Sequence, residues 1–255
     1  MKALLLQMDI IMILKHLENK DLFQSYMKKI NKISPKATLT SEEDTTLKGA
    51  TVDANELEVT VGKNLVMQSL QDTQTINGSS AGGTVSGKYA MPTGVSVNTG
   101  STKGDKQWVN EVSSLNANEK IKVAVNENTT LTGASITNLD KDGTDKANLE
   151  FSTNTLTTND IKDHDTYEST TMGVGIGTND NKPSLNSFEY TNNTKDKEQI
   201  NRATVGKGIL TTDSDTTNLN RDTSKTQQIT KDVGWLILKI IKFTLLSNLV
   251  RNYRV

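Results

Sequence analysis

Cysteine is absent from this chain of 255 residues, proline occurs three times, histidine twice, and aromatic residues make up 4%. Without cysteine there are no disulfides, no thiolate metal sites and no cysteine nucleophile. The two histidines, His16 and His164, are too few for the metal centres that draw on His and Cys. Charge of one sign is missing as well: 29 basic and 30 acidic residues are well mixed, for a net charge of −1. A nucleic-acid partner calls for a basic stripe or patch, and there is none. Apolar residues are scarce, at 33%. Even with glycine added, the share stays under the roughly 45–50% of ordinary domains. Such a chain cannot fill a thick central core. It can fill a thin one, where each strand contributes two or three inward residues and neighbouring units cover the faces.

What the chain has instead is a repeat. Thr45-Thr46-Leu47-Lys48-Gly49-Ala50-Thr51-Val52 returns 84 residues later as Thr129-Thr130-Leu131-Thr132-Gly133-Ala134-Ser135-Ile136. At the same offset Leu39 matches Val123, Glu43 matches Glu127 and Asp44 matches Asn128. Past the box the register resumes at an offset of 91 or 92, where Leu57-Glu58-Val59 answers Leu149-Glu150-Phe151. Leu65 then answers Leu156, Leu70 answers Ile161 and Asp72 answers Asp163. Self-similarity of this kind marks stacked units and shifts the expected function from catalysis toward extended structural or binding surfaces.

Within the units the hydrophobic period is two. Leu57, Val59 and Val61 alternate with Glu58 and Thr60 before Gly62-Lys63-Asn64 turns the chain; Ile121, Val123 and Val125 repeat the pattern. This is the signal of short strands and turns. Candidate strands start eight to ten residues apart, so a coil of roughly 20 residues holds about two of them, within the range of solenoid repeats. Parallel stacking also accounts for the abundant Thr and Asn, which can hydrogen-bond up and down a stack as in cross-β ladders. The Gly/Ser/Thr segments 77–83 and 172–177 read as loop or hairpin excursions from the coil.

Three motifs invite a chemical reading, and each has a plainer one. Asn138, Asp140, Asp142 and Gly143 match positions one, three, five and six of an EF-hand loop. Position twelve falls on Leu149, with Glu150 one residue late, so a solvated turn is expected rather than a calcium site. Gly78-Ser79-Ser80-Ala81-Gly82 fits the G-x-S-x-G nucleophile elbow, but the following Gly83-Thr84-Val85-Ser86-Gly87 cannot start the helix that motif needs. His164 is the remaining base candidate and sits among Asp163, Asp165 and Thr166, where an exposed turn residue is expected. Gly173, Gly175 and Gly177 give G-x-G-x-G rather than dinucleotide spacing, and read as a flexible loop. No catalytic, cofactor-binding or metal-ligating residue is expected, no cofactor, and no enzyme.

The ends differ from the middle. Met1-Lys2-Ala3-Leu4-Leu5-Leu6 starts like a signal peptide, but Gln7, Asp9 and Lys15-His16-Leu17-Glu18 interrupt it and no small-residue cleavage site follows. At the other end Trp235 to Leu246 is too short and too charged for a comfortable membrane span. Membrane contact over 234–255, as a basic amphipathic helix, is the minor reading beside a tail with no selected role.

Asp44-Thr45-Thr46-Leu47-Lys48-Gly49-Ala50, followed by Asn64-Leu65 and Ser69-Leu70-Gln71-Asp72-Thr73, resembles the hemagglutinin repeat of filamentous hemagglutinin-type exoproteins. So does the second copy, ending Leu156-Thr157-Thr158-Asn159-Asp160-Ile161. Ile200-Asn201-Arg202-Ala203-Thr204-Val205-Gly206, then Leu219-Asn220-Arg221-Asp222 and Gln228-Ile229-Thr230-Lys231-Asp232, resembles the segment closing the repeats in the contact-dependent inhibition branch. The resemblance implies an all-β chain, a right-handed parallel β-helix with loop or hairpin excursions and short helical ends out of keeping with it. The implied organisation is a helical leader at 1–34, open to being out of frame, repeat 1 at 35–90, a linker or hairpin at 91–120 and repeat 2 at 121–171. A loop and repeat-closing segment at 172–232 and an apolar basic tail at 233–255 complete it.

The function implied is that of a structural or adhesive fragment of a secreted bacterial surface protein, a rigid rod for cell adhesion. The alternative is a shaft segment of a contact-dependent growth-inhibition toxin-delivery protein whose toxin domain is missing here. A polysaccharide-acting β-helix enzyme is a minor third. The implied partners are a host or neighbouring-cell receptor or glycan and, for the full-length parent, an outer-membrane secretion partner. The implied location is the cell surface for the parent and open for this fragment.

Overall fold

The structure, a computed structural model, describes residues 34–88, 91–179 and 182–241. The leader expected at 1–34 lies outside the described residues but for Ser34, and so does the tail beyond Ile241. Among the described residues the chain is all-β apart from one 3-10 turn at Thr223–Lys225. It begins with β1 (Ser34–Ser41), β2 (Thr45–Lys48), β3 (Thr51–Val61) and β4 (Leu65–Gln68), then the long β5 (Asp72–Lys88) and β6 (Met91–Trp108). Short strands resume with β7 (Ser114–Val125), β8 (Asn128–Thr132), β9 (Ser135–Thr137), β10 (Leu149–Ser152) and β11 (Thr155–Asn159). Two more long strands follow, β12 (Ile161–Asn179) and β13 (Lys182–Asn201), then β14 (Thr204–Val205), β15 (Gly208–Thr211) and β16 (Gln227–Ile241). These elements fall into two compact units.

The first unit contains the short strands. One parallel sheet runs β1-β3-β7-β10-β15, with β9 beside β7 and β14 beside β9; a second runs β2-β4-β8-β11. Each pass of the chain visits one sheet and then the other. Inward residues stack in columns through the register. Leu39 pairs with Val59, Val59 with Val123, Val123 with Phe151 and Phe151 with Leu210. In the other sheet Leu47 pairs with Met67 and Met67 with Leu131. Leu47, Val59, Met67, Val123, Leu131 and Phe151 are all buried, while the alternating Glu58 and Thr60 lie on the outside of β3. The thin core expected from the composition is therefore these columns.

The register explains the sequence repeat. Leu39 and Val123 are two passes apart, with Val59 between them, and Leu47 and Leu131 are two passes apart with Met67 between. Gly49 and Gly133 turn the chain at equivalent corners with φ of +57° and +52°. There a Cβ would meet Leu70 in the first case and Ile161 in the second, the very pair matched in sequence. At the opposite corner polar side chains form a ladder. The Asn64 amide donates to Asp44 Oδ1 at 2.9 Å, the Asn128 amide to Asn64 Oδ1 at 2.9 Å, and the Thr155 hydroxyl to Asn128 Oδ1. The Asn64 side-chain amide and backbone N–H, both donating to Asp44, hold its carboxyl below its ordinary pKa. Stacked Asn and Thr thus satisfy the corners, where backbone groups leave the strand ladders.

The second unit contains most of the long strands, joined as one sheet in the order β16-β13-β12-β6-β5. β5 and β6 are separated by two residues, as are β12 and β13, so each neighbouring pair is a hairpin; a parallel connection would need a crossover of a dozen residues or more. β6 and β12 pair antiparallel without interruption from Gly94↔Gly177 to Gln107↔His164.

Two expectations are corrected here. The glycine-rich segment 172–177 is not a flexible loop but part of β12, in regular register with β6. The tail does not turn helical at Val233: it stays in strand to Ile241, because pairing of β16 with β13 outweighs the local helical pattern. No described helix is long and apolar enough to cross a membrane.

The central column predicts a large cost for truncation. Leu131→Ala should destabilise the chain by about 2–5 kcal/mol, since Leu131 is fully buried between stacked neighbours. A urea melt measures it, and a loss below about 0.5 kcal/mol, the range of ordinary surface substitutions, would contradict the stacked core.

Candidate interaction surface

The chemical motifs take structural roles. Asn138 is buried, donates to the Ala117 carbonyl at 2.6 Å and accepts the Asn148 N–H at 2.9 Å. Asp140 spends its Oδ1 on the N–H groups of Asp142 (3.0 Å) and Thr144 (2.9 Å), and Gly143 completes the turn at φ +77°. The segment is a self-bonded turn between β9 and β10, with Leu149 inside the core and Glu150 paired outside to Lys120 at 3.0 Å. Lys120 holds the Glu150 carboxyl below its ordinary pKa.

Gly78 to Gly82 lies in mid-strand on β5, with no strand-to-helix turn. Ser80 sits beside Gly100, which pairs with Thr171. His164 is seven residues further along the same strand, more than about 20 Å away at the rise of a β-strand. Ser80 and His164 are not brought together. His164 instead contacts Asp105 across β6 and β12 at 2.8 Å. This contact holds the Asp105 carboxyl below its ordinary 3.8, with smaller help from Thr75 and the Lys106 N–H.

The long strands offer a surface that the sequence did not advertise. Alternation puts Gly173, Gly175 and Gly177 on one face, with Ser96 and Asn98 of β6. The absent side chains leave room for neighbours to lie across the sheet: a Cβ on Gly82 would meet Asn98 Oδ1, and one on Gly175 would meet Ser187 Oγ. On the opposite face Val95 pairs with Ile176, Val97 with Val174 and Thr99 with Met172. Val95 is 49% exposed, Val97 59% and Ile176 54%. Phe188 and Tyr190 share this face by alternation, since Ser187 and Glu189 border Gly175 and Gly173 on the other. An exposed apolar face on one side and a smooth Gly/Ser/Asn face on the other is the pattern of an interaction surface. Alternation with glycine was its only signal in the sequence.

The first unit contains a second feature that sequence reasoning passed over. Asp163 is 3% exposed. Its Oδ2 accepts the Val109 N–H (2.8 Å), the Gln199 amide (2.6 Å) and the Asn201 amide (2.7 Å), and its Oδ1 accepts the Gln71 amide (2.7 Å). Gln199 also donates to the Val109 carbonyl at 2.8 Å, as does Gln227 at 2.9 Å. One buried carboxylate therefore joins Gln71, Val109, Gln199 and Asn201, and Gln227 reaches the cluster through the Val109 carbonyl. Its match to Asp72 in the repeat was visible; its burial was not.

Residues 24–83 match the family described as the hemagglutinin repeat. That stretch of the chain is similar to a hemagglutinin repeat. It is also similar to Toxin CdiA of Escherichia coli, at 33% identity over 145 residues that make up 54% of this chain. The chain spans 4% of that protein's length. No solved structure matches it at a significant level. Taken together, the two likenesses support a resemblance to the hemagglutinin-repeat region of contact-dependent inhibition exoproteins. Residues of the segment that resembles a repeat-closing stretch take structural roles: Arg202 donates to the Lys225 carbonyl at 3.0 Å and to Gln228 Oε1 at 2.9 Å, and Asn220 to Thr204 Oγ1 at 2.8 Å.

Two outcomes test this geometry. Asp163→Leu leaves three or more buried donors unpaired and should cost at least about 3 kcal/mol, with Asp163→Asn in between; equal melts for all three chains would remove Asp163 as the tie. For Asp105, a carboxyl depressed in the fold stabilises fully above 3.8 and loses that contribution as pH falls through its lower folded value. A carboxyl NMR titration should show a midpoint below 3.8 that returns toward it in His164→Ala. No change on substitution would dissociate the pair.

Proposed function

We propose that this chain is a rod-forming segment of a secreted filamentous hemagglutinin-like exoprotein. Its two alternating parallel sheets form a stretch of right-handed β-helix, and its hairpin sheet presents a surface for adhesion at the cell exterior. The observation that carries this reading is the two-pass register, in which the hemagglutinin-repeat residues Leu47 and Leu131 occupy equivalent inward positions. A unit that covers its neighbour's faces with the same residues can be added without limit, which is what a long shaft requires. The partners that follow are a receptor or glycan on another cell and an outer-membrane secretion partner for the parent.

The likeness to Toxin CdiA favours a second reading, in which the segment is the shaft of a contact-dependent growth-inhibition toxin-delivery protein and makes no receptor contact of its own. In either reading the work is mechanical and interfacial rather than catalytic.

Duplicating residues 37–120 within the chain, once and twice, separates the possibilities. A rod lengthens by roughly 10 Å per added two-pass unit, twice the spacing of neighbouring strands; small-angle scattering reads the increment. Separate globular beads in place of a steady increment would overturn the rod. Saturable binding of the labelled chain to cells, abolished by Val97→Lys with Ile176→Lys, supports adhesion; lengthening with no cell binding assigns the segment to a toxin-delivery shaft.

A further inference from the structure

The hairpin sheet follows the chain order from β5 at one end to β16 at the other. Its first hairpin is β5 and β6, its second is β12 and β13, and β16 follows. The second strand of each hairpin pairs antiparallel with the next long strand of the chain. β6 pairs with β12 in this way. β13 pairs with β16 likewise, since the Arg202 N–H bonds the Thr226 carbonyl at 2.8 Å, Gln227 bonds Asn201 and Lys231 bonds Asp196, as only antiparallel strands allow. The chemistry of the junction recurs with the geometry. Asp105 on β6 reaches His164 on β12, and Asp196 on β13 reaches Lys231 on β16 at 2.5 Å.

The hairpins are also placed by the repeat. At an offset of 91, Asp72, Thr75, Gly82 and Val85 of β5 answer Asp163, Thr166, Gly173 and Ile176 of β12. β12 has a second strand on its outer side, but β5, at the end of the sheet, has none among the described residues. All 17 residues of β5 are exposed. Between Asp72 and Lys88 it contains no charge and no proline, the devices by which natural edges avoid pairing.

We infer that the outer edge of β5 is the docking site for the second hairpin strand of an adjoining hemagglutinin repeat, so that the antiparallel sheet grows one hairpin per two-pass unit. This rests on the shaft reading, which supplies the adjoining repeat. The incoming strand is of the type shared by β6 and β13, where Thr102-Lys103 followed by Asp105-Lys106 and Gln107 corresponds to Thr194-Lys195, Asp196-Lys197 and Gln199. A first strand would have to run parallel to β5 and breaks this pattern. Main-chain hydrogen bonds along the open edge would supply most of the affinity, as in other strand additions.

Hydrogen exchange on the full 255-residue chain tests this with two peptides, one of residues 182–201 and one of residues 161–179. The first should slow exchange of the edge-facing amides between 73 and 87 at least tenfold, and the second should leave them unchanged. No protection by the 182–201 peptide, or equal protection by both, overturns the inference. So does concentration-dependent protection without peptide, accompanied by a dimer in light scattering, which would give the edge to a second copy. The shaft reading is scored separately by the duplicated chains: rod lengthening without β5 protection rejects the growing sheet alone.

Discussion

Everything in the first unit depends on vertical register. An inward residue of one pass is covered by the inward residues of the passes on either side, so a chain poor in apolar residues still excludes water from a continuous column. Leu39, Val59, Val123, Phe151 and Leu210 form one such column. A slip of one residue would carry the whole inward set to solvent. The Asp44–Asn64–Asn128–Thr155 ladder guards against that slip, because each corner side chain bonds only its counterpart one pass away. Packing and polar satisfaction therefore enforce the same alignment.

The hairpin sheet obeys a different economy. Its strands of 15 to 20 residues are far longer than the usual five or six, yet among the described residues neither face has a packed core. Cross-strand hydrogen bonds and charge pairs such as Lys195–Asp165 and Lys197–Asp232 hold it instead. A surface released from core duty can carry exposed Val95, Val97 and Ile176 on one side and bare glycines on the other. The residues available for recognition are those on which the stack does not depend.

The repeat was legible because it recurs every second pass with residue identity or apolar character kept: Leu47 and Leu131, Gly49 and Gly133, Leu70 and Ile161. The single pass was hidden, since Leu47 stacks on Met67 and Leu65 on Thr129, which share position but not identity. The all-β class followed from the alternation in 57–61 and 121–125. The long strands escaped detection because a sheet exposed on both faces has no inside and outside to alternate, and Gly173-Val174-Gly175-Ile176-Gly177 then looks like a loop. Asp163 escaped for a related reason: burial of a carboxylate depends on Gln71, Gln199 and Asn201 converging from distant parts of the chain.

The absence of cysteine offers the most direct test of the register. Glu58 and Lys122 are paired neighbours 64 residues apart in sequence, so Glu58→Cys with Lys122→Cys places two thiols within disulfide reach on an otherwise thiol-free chain. Glu58→Cys with Ala124→Cys shifts one partner by two residues, to roughly 8 Å, beyond that reach. Under mild oxidation the first pair should close nearly completely and the second should not. Equal closure of both pairs, or failure of the first in the folded chain, would contradict the stacked register on which the fold and the proposed shaft rest.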